Sequence, residues 1–332
     1  MSERAAPGVG QPTRADAAGR RGSFVQRIRA WLVAVASWLA CRLPERLTIR
    51  LAELGGEIWY RVAPVRAARG RRNLERVVRY LAERELGGDR VRAAAADPRA
   101  LERMLRSAFR HAARYYLEVA RTPTMDNRTI RERLLVETPD VVEEAFEGDR
   151  PVVFVGLHFG AIELPALFLA ERTGRVATVP METIGDPELQ RYFVRTRGKV
   201  GLRIVGLREA RRELLAALRR GESVGLVGDR DLTGGGIPIP LFGAPSPLPI
   251  GPPLLAMEAG APMYLAAVRR AGAGRYRGQL LAVPTASEGD RRERLTATLT
   301  GLAERFEMVV ADAPDQWWSI FFPIWPDLEA AA

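Results

Sequence analysis

A histidine follows an apolar segment near the middle of the chain, and a glutamate follows that histidine five residues later. Residues 152–157 have the pattern of a buried strand, and His158 comes directly after them. Positions five apart on a regular helix point about 140° apart, so Glu163 can meet His158 only if the histidine lies on the turn before the helix. A carboxylate in that place can bind one imidazole nitrogen and leave the other as a general base. The alternative is a structural histidine at the end of a strand.

A second apolar segment ends in Asp229, Arg230 and Asp231. The carboxyl ends of parallel strands meet at one edge of a sheet, so these residues are predicted to lie beside His158. Asp229 would then be a second orienting carboxylate and Arg230 a site for an anion, unless the two only form a salt bridge in a loop. Residues 241–252 are apolar and rich in proline, and they predict a loop into a helix that lines a groove for an aliphatic chain.

Other kinds of site are excluded by the sequence. Ser223 lies in a G-x-S-x-G pattern, but a nucleophile elbow needs a strand before the serine and a helix after it, and here the order is reversed. The chain has one cysteine, Cys41, and two histidines, His111 and His158, so a Cys/His zinc site is ruled out and no metal is predicted.

The elements that must position these residues alternate from about residue 150 onward. Short apolar runs predict strands, and the segments between them predict helices. The strand candidates are residues 152–157, 176–180, 202–206, 224–228, 263–269 and 279–283. The helix candidates are residues 24–42, 48–62, 69–82 and 99–121 in the N-terminal part, and then 161–172, 187–198, 208–220, 250–260 and 290–310. This alternation predicts an α/β fold with a mostly parallel mixed central sheet flanked by helices.

The N-terminal part carries the basic character of the chain. The net charge of the whole chain is +10, and residues 1–130 contribute 26 arginines against 13 acidic residues. Residues 24–42 are apolar, with Trp31, Trp38 and arginines at both ends, which suits a membrane interface. The apolar core of twelve residues is too short to span a bilayer upright and favours a helix on or shallowly in the membrane surface. The alternative is a helix packed on the body of the protein.

These patterns divide the chain into four parts. Residues 1–22 are predicted to be a disordered leader, and residues 23–130 a basic, helical, membrane-associating region. Residues 131–326 are predicted to form the α/β core, and residues 327–332 a flexible tail.

Together these residues resemble the bacterial late acyltransferases of lipid A biosynthesis and their actinobacterial relatives, the phosphatidylinositol mannoside acyltransferases. The resemblance covers about residues 24–326, and the mannoside branch is the closer of the two because of the segments at 229–232 and 242–243. The segments that carry the resemblance are Arg71-Arg72-Asn73-Leu74, Phe109-Arg110, Arg114-Tyr115-Tyr116-Leu117-Glu118, His158 to Glu163 as an H-x4-[DE] motif, Asp229-Arg230-Asp231-Leu232, Phe242-Gly243, Pro249-Ile250-Gly251-Pro252 and Pro314-Asp315-Gln316-Trp317-Trp318.

The resemblance implies a membrane-associated acyltransferase on the cytoplasmic face of the bacterial plasma membrane. Such an enzyme moves a fatty acyl group from acyl-CoA or acyl carrier protein to a hydroxyl of a glycolipid or phosphoglycolipid, and it needs no other cofactor. The implied partners are an anionic membrane surface bound through the N-terminal helices, the thioester donor and the glycolipid acceptor. No nucleic-acid partner is expected, because the sequence contains no recognisable nucleic-acid module.

Carried over to this chain, the resemblance implies that His158 is the general base, that Glu163 is the carboxylate of the H-x4-[DE] motif and that Asp229 supports the histidine. The residues expected to bind substrate are Arg230, Asp231, Glu182, Arg191, Phe242 and Gly243.

The chain departs from the family at Thr183, where relatives often have an arginine. Arg191 and Arg230 are candidates to replace that arginine. The departure leaves open a non-catalytic lipid-binding protein of the same fold, and a thioester hydrolase is a further alternative.

Overall fold

The computed structural model of the chain describes residues 22–173, 177–182, 184–198, 202–207, 209–232 and 234–330. The predicted leader, except for Gly22, lies outside the described residues, and so does Thr183.

Five helices make up most of the N-terminal part: α1 (Phe24–Arg42), α2 (Glu45–Val62), α3 (Pro64–Glu83), α4 (Gly88–Ala96) and α5 (Pro98–Arg121). Capping residues set where two of them begin. Ser23 forms a capping box with Gln26 at the start of α1. The Asp97 side chain accepts hydrogen bonds from the first backbone N–H groups of α5, which has Pro98 at its first position. The four helices predicted in this part are confirmed, and α4 is an additional one.

Helix α1 touches the rest of the protein along one narrow side. Only Ser37 and Ala40 are buried in it, and the Ser37 hydroxyl donates a hydrogen bond to the Ala120 carbonyl at 2.6 Å. Large apolar side chains such as Trp31 and Trp38 are exposed. By length and composition alone the whole 19-residue helix could cross a membrane, whereas the apolar core between Arg29 and Arg42, on which the prediction of a surface helix rests, has twelve residues. The prediction of an exposed apolar helix at this place is confirmed.

Nine strands occur among the described residues: β1 (Leu134–Val136), β2 (Val153–Gly156), β3 (Ala177–Met181), β4 (Leu202–Gly206), β5 (Val224–Val227), β6 (Ile237–Leu241), β7 (Ala244–Leu248), β8 (Met263–Arg270) and β9 (Tyr276–Val283). Seven of them form one sheet in the order β1-β9-β8-β2-β5-β3-β4. Strands β8, β2, β5, β3 and β4 are parallel, whereas β9 is antiparallel to β8 and pairs with β1. The predicted mostly parallel mixed sheet is confirmed.

Helices cover both faces of this sheet, and the sheet separates two apolar cores. The helices that follow the N-terminal part are α6 (Asn127–Arg133), α7 (Pro139–Phe146), α8 (Leu164–Thr173), α9 (Pro187–Gly198), α10 (Ala210–Arg219), α11 (Gly251–Ala259), α12 (Arg291–Asp312) and α13 (Pro326–Ala330). In β2, Val153 and Val155 belong to the larger core with α3, α5 and α10–α12, whereas Phe154 belongs to the smaller core with α7 and α8. Because both faces are buried, the parallel strands read as continuous apolar runs in the sequence.

Residues 241–252 were predicted as a loop into a helix. The helix is confirmed as α11, but most of the predicted loop belongs to the β6–β7 hairpin. The prolines explain the difference. Pro238 pairs with Pro247, and Pro240 with Pro245, on the outer side of the hairpin. A two-stranded ribbon has only edge strands, so the missing N–H groups of these prolines are tolerated.

The end of the described chain is also ordered differently from the prediction. Helix α13 is held on α3 by ion pairs from Asp327 to Arg76 and from Glu329 to Arg69, the latter with an N–O distance of 2.9 Å. Residues 327–330 of the predicted flexible tail therefore form a helix anchored to the body of the protein.

Candidate active site

The loop between β2 and α8 carries His158 and is tied to the elements beside it. Gly160 has a φ of +51°, and a Cβ at this position would lie 2.0 Å from the carbonyl oxygen of Val268, so only glycine lets the loop approach β8 so closely. The Gly160 N–H donates to the Gln316 carbonyl at 3.0 Å, and the Ala161 N–H donates to the Val268 carbonyl at 2.9 Å. These bonds fix the backbone that carries the imidazole.

Strands β2 and β5 are parallel neighbours, so their ends meet and bring Asp229 to His158. Oδ1 of the buried Asp229 lies 2.7 Å from Nδ1 of His158, and Oδ2 accepts a hydrogen bond from the His158 backbone N–H at 3.0 Å. Oδ2 also accepts hydrogen bonds from Nε1 of Trp317 and Oγ of Ser319, both at 2.8 Å. The structure therefore pairs the imidazole with the carboxylate at the end of the second strand.

This hydrogen bonding keeps Asp229 ionised. Burial opposes ionisation, but the electrostatic attraction of the His158 ring and the hydrogen bonds from His158, Trp317 and Ser319 outweigh it, so the pKa of Asp229 lies below its ordinary value. An ionised carboxylate on Nδ1 keeps the imidazole proton on that nitrogen. Nε2, which has no hydrogen bond to the described part of the chain, then has the free lone pair of a base.

The imidazole is mostly enclosed and rests against an aromatic side chain. It is 16% exposed, and its ring meets Trp318 edge to face with the centroids 4.7 Å apart. The Trp318 backbone N–H donates to the His158 carbonyl at 3.0 Å, and Tyr115 stacks on the Trp318 ring at 4.9 Å. The segment 317–319 therefore supports both His158 and Asp229.

Glu163 has a different partner. Arg197 on α9 binds its carboxylate, with Nε 3.1 Å from Oε2 and a shorter contact from Nη2 to Oε1, and both side chains are mostly buried. Arg197 also contacts Sδ of Met181 at 2.7 Å. Burial lowers the pKa of Arg197, but the attraction of Glu163 outweighs this and raises it above the ordinary value. The carboxylate on the imidazole Nδ1 is therefore Asp229, whereas Glu163 holds Arg197.

Two of the predicted substrate-binding residues follow Asp229 directly. The guanidinium carbon of Arg230 lies 3.7 Å from the ring centroid of Phe322. The carboxylate of Asp231 accepts hydrogen bonds from the backbone N–H groups of Gly234 and Gly236, at 3.0 and 2.7 Å. Arg230 thus lies on an aromatic ring, and Asp231 shapes the turn that follows.

Two other predicted substrate-binding residues flank the segment between β3 and α9. Glu182 is exposed directly after β3, and Arg191 on α9 pairs with Glu188 one turn earlier. Thr183, which follows Glu182, lies outside the described residues.

Phe242 and Gly243, also predicted to bind substrate, form the turn of the β6–β7 hairpin, with φ values of +48° and +76°. Phe242 is 2% exposed, its backbone N–H donates to Glu307 at 2.6 Å, and its ring packs on Trp317 at 5.4 Å. A side chain buried to this extent has no free surface for a ligand. Its position supports Trp317, which in turn holds Asp229.

Four side chains of the site were not predicted from the sequence, namely Arg197, Trp317, Trp318 and Ser319. The segment Pro314 to Trp318 carries part of the family resemblance, but no local pattern connects the Trp317 indole with the Asp229 carboxylate, 88 residues away. Arg197 lies in an ordinary amphipathic helix, 34 residues after its partner.

Two open apolar clefts lined by described residues lie on the side of the sheet that faces α7 and α8. The smaller has a volume of about 290 Å³, and Glu163 forms part of its wall. The larger has a volume of about 440 Å³ and lies between the sheet and the two helices. Its walls are formed chiefly by Leu134, Val136, Val142, Phe146, Phe154, Phe168, Leu169, Val268 and Leu280. Apolar space therefore lies on the same side of the sheet as Glu163.

Comparison with known proteins identifies the family. The chain is 27% identical over 304 residues to the phosphatidylinositol mannoside acyltransferase of Mycobacterium tuberculosis (strain CDC 1551 / Oshkosh), which covers 90% of this chain and 89% of that protein. A protein of the same name from Mycolicibacterium smegmatis is 30% identical over 218 residues, 64% of this chain and 70% of that protein. Residues 20–322 match the family of bacterial lipid A biosynthesis acyltransferases. The chain is therefore an acyltransferase and belongs to that family.

Proposed function

We propose that the protein transfers a fatty acyl group from acyl-CoA or acyl carrier protein to a hydroxyl of a glycolipid or phosphoglycolipid, with His158 as the general base. The observation that supports this proposal is the imidazole itself, with Nδ1 on the buried Asp229 and Nε2 without a hydrogen bond to the described residues. The relatives are named phosphatidylinositol mannoside acyltransferases, which supports an acceptor of that type.

In the proposed reaction, Nε2 of His158 takes the proton of the acceptor hydroxyl while the hydroxyl oxygen attacks the carbonyl carbon of the thioester. The tetrahedral intermediate then loses the thiolate as its carbon–sulfur bond breaks, and the imidazolium returns the proton to the sulfur. The products are an ester and a free thiol, so no covalent enzyme intermediate is needed. Asp229 stays ionised and stabilises the imidazolium that forms. A general base of this kind contributes about 10²- to 10⁴-fold to the rate.

We also propose that α1 and α2 hold this site at an anionic membrane surface, on the cytoplasmic face where acyl thioesters are available. Helix α2 presents a stripe of exposed apolar side chains at helical spacing, in addition to those of α1. The members of this stripe are Leu47, Leu51, Leu54, Ile58 and Val62. Exposed apolar patches of this kind, with the arginine excess of the N-terminal part, favour a membrane as the partner.

The test is to find where the acyl group goes. Purified protein is given radiolabelled palmitoyl-CoA, or palmitoyl–acyl carrier protein in parallel, with vesicles that contain phosphatidylinositol mannosides. Labelled lipid is then separated from free fatty acid. We expect label in the lipid and a loss of at least about 10²-fold in His158→Ala. His111→Gln changes the other histidine and serves as the matched control, expected to retain activity.

The other outcomes separate the alternatives. Label in free fatty acid, independent of acceptor, would identify a thioester hydrolase. Label that stays on both donors would indicate a lipid-binding protein. Full transfer by His158→Ala would remove the histidine as the general base.

A further inference from the structure

Two arginines near the site stack on one aromatic ring. Arg230, which follows Asp229, has its guanidinium carbon 3.7 Å from the ring centroid of Phe322. Arg66, near the start of α3, has its guanidinium carbon 5.7 Å from the same ring and 5.2 Å from the ring of Trp59. Within the described part of the chain, neither guanidinium forms a hydrogen bond or an ion pair.

This lack of a direct ion pair distinguishes Arg66 from three other arginines on α3. Arg69, Arg71 and Arg76 on the same helix each bind a carboxylate. Arg66 and Arg230 are partly buried, and burial lowers the pKa of Arg230 below its ordinary value, although nearby carboxylates oppose this. A partly desolvated cation without a partner is unfavourable unless an anion binds it. A guanidinium over an aromatic ring can still use its N–H edge for two parallel hydrogen bonds to an oxyanion.

The position of the pair connects it with both the base and the proposed membrane surface. The Phe322 ring lies 6.0 Å from that of Trp318, which contacts the His158 ring at 4.7 Å. Val62, at the end of the apolar stripe of α2, is 71% exposed, and Val65, next to Arg66 in the chain, is 76% exposed. The pair is therefore linked to His158 through the rings of Phe322 and Trp318, and Arg66 is adjacent in the chain to an exposed apolar residue.

We propose that Arg66 and Arg230, mounted on Phe322, bind a phosphate group of a substrate during acyl transfer. This inference rests on the proposed function and specifies how one substrate is held. Phosphate is present in a phosphoglycolipid acceptor and also in the CoA or phosphopantetheine part of the donor. The place of the pair beside the apolar stripe favours the phosphodiester of the acceptor, which lies at headgroup depth.

The experiment measures binding to the full chain by calorimetry, with two soluble probes. Glycerophosphoinositol represents the acceptor headgroup, and coenzyme A represents the donor. We expect Arg66→Gln and Arg230→Gln each to weaken the binding of one probe, with an increase in its Kd of about 10- to 100-fold. This is the effect of losing a hydrogen bond to a charged group. Arg230→Lys should recover part of this loss. Arg84→Gln removes an exposed arginine stacked on Tyr80 at 3.6 Å and is the matched control.

In the acyl-transfer assay, the same two variants should raise KM for the matching substrate and leave kcat little changed. A loss confined to glycerophosphoinositol assigns the site to the acceptor, and a loss confined to coenzyme A assigns it to the donor. Three results would overturn the inference. They are unchanged Kd and KM in both variants, no binding of either probe by the wild-type protein, and an equal loss of binding in Arg84→Gln. Arginine-dependent binding in a protein without acyl transfer would instead remove the proposed function and leave the phosphate site standing.

Discussion

Replacing Asp229 by asparagine keeps the size of the side chain but turns one carboxylate oxygen into an amide nitrogen. In the structure, Oδ2 accepts hydrogen bonds from the His158 backbone, Trp317 and Ser319, whereas Oδ1 accepts one from Nδ1 of His158. The amide nitrogen cannot accept these bonds, so we expect the asparagine oxygen to take the Oδ2 position. The amide then donates to Nδ1, and the imidazole proton moves to Nε2.

An imidazole with its proton on Nε2 cannot take a proton from the acceptor hydroxyl. In the serine protease triad the same exchange lowers kcat about 10⁴-fold by leaving the wrong tautomer. We therefore expect kcat of Asp229→Asn to fall by about 10²- to 10⁴-fold, with KM for the thioester nearly unchanged. The free energy of unfolding should decrease by only about 1–3 kcal/mol, because the hydrogen bonds to this side chain remain but are no longer made to a charged group.

The assay is the initial rate of acyl transfer from radiolabelled acyl-CoA to the lipid acceptor, with circular dichroism to confirm the fold. Ser319→Ala is the control, because it removes one donor to Oδ2 at 2.8 Å and leaves the bond to Nδ1 in place. Its kcat should fall by less than about tenfold. A folded Asp229→Asn protein with a rate within about tenfold of the wild type would refute the argument that this carboxylate sets the tautomer.

Three further outcomes are expected. Burial and neighbouring arginines lower the pKa of His111 from 6.5 to about 3, although a buried aspartate opposes this shift. Between these two pH values the unfolded chain binds a proton that the folded chain does not. Tm should therefore fall as the pH drops below about 6.5. His111→Gln should flatten this dependence, and an unchanged slope would contradict the assignment. Leu51→Ser combined with Ile58→Ser should weaken sedimentation with anionic vesicles by at least about tenfold without lowering Tm, whereas equal sedimentation would argue against the apolar stripe as the membrane contact. Phe242→Ala should lower the free energy of unfolding in a denaturant titration by about 3–5 kcal/mol. A raised KM with an unchanged free energy of unfolding would instead indicate that the Phe242 ring contacts substrate.

Elements with strong local patterns were predicted well. Strand β4 and helix α9 have the bounds that their patterns predicted. The strand before His158 is one residue shorter than predicted at each end, and the strand before Asp229 is one residue shorter at its carboxyl end. The β6–β7 hairpin was missed because a segment so rich in proline has the composition of a loop. Proline is tolerated in these two strands only because no third strand among the described residues pairs with them, and the sequence does not show this.

The sequence by itself determined the α/β order of the chain and the presence of His158 and Asp229 at the ends of two buried strands, because both depend on local composition and spacing. The family was indicated by the resemblance of the chain's motifs to those of known acyltransferases. Only the tertiary structure decided which carboxylate serves the imidazole. Glu163 is five residues from His158 but binds Arg197, whereas Asp229 is 71 residues away and lies 2.7 Å from Nδ1. The physical reason is that contacts at a strand end depend on which strands are neighbours in the sheet, and β5 lies beside β2 although β3 and β4 come between them in the chain.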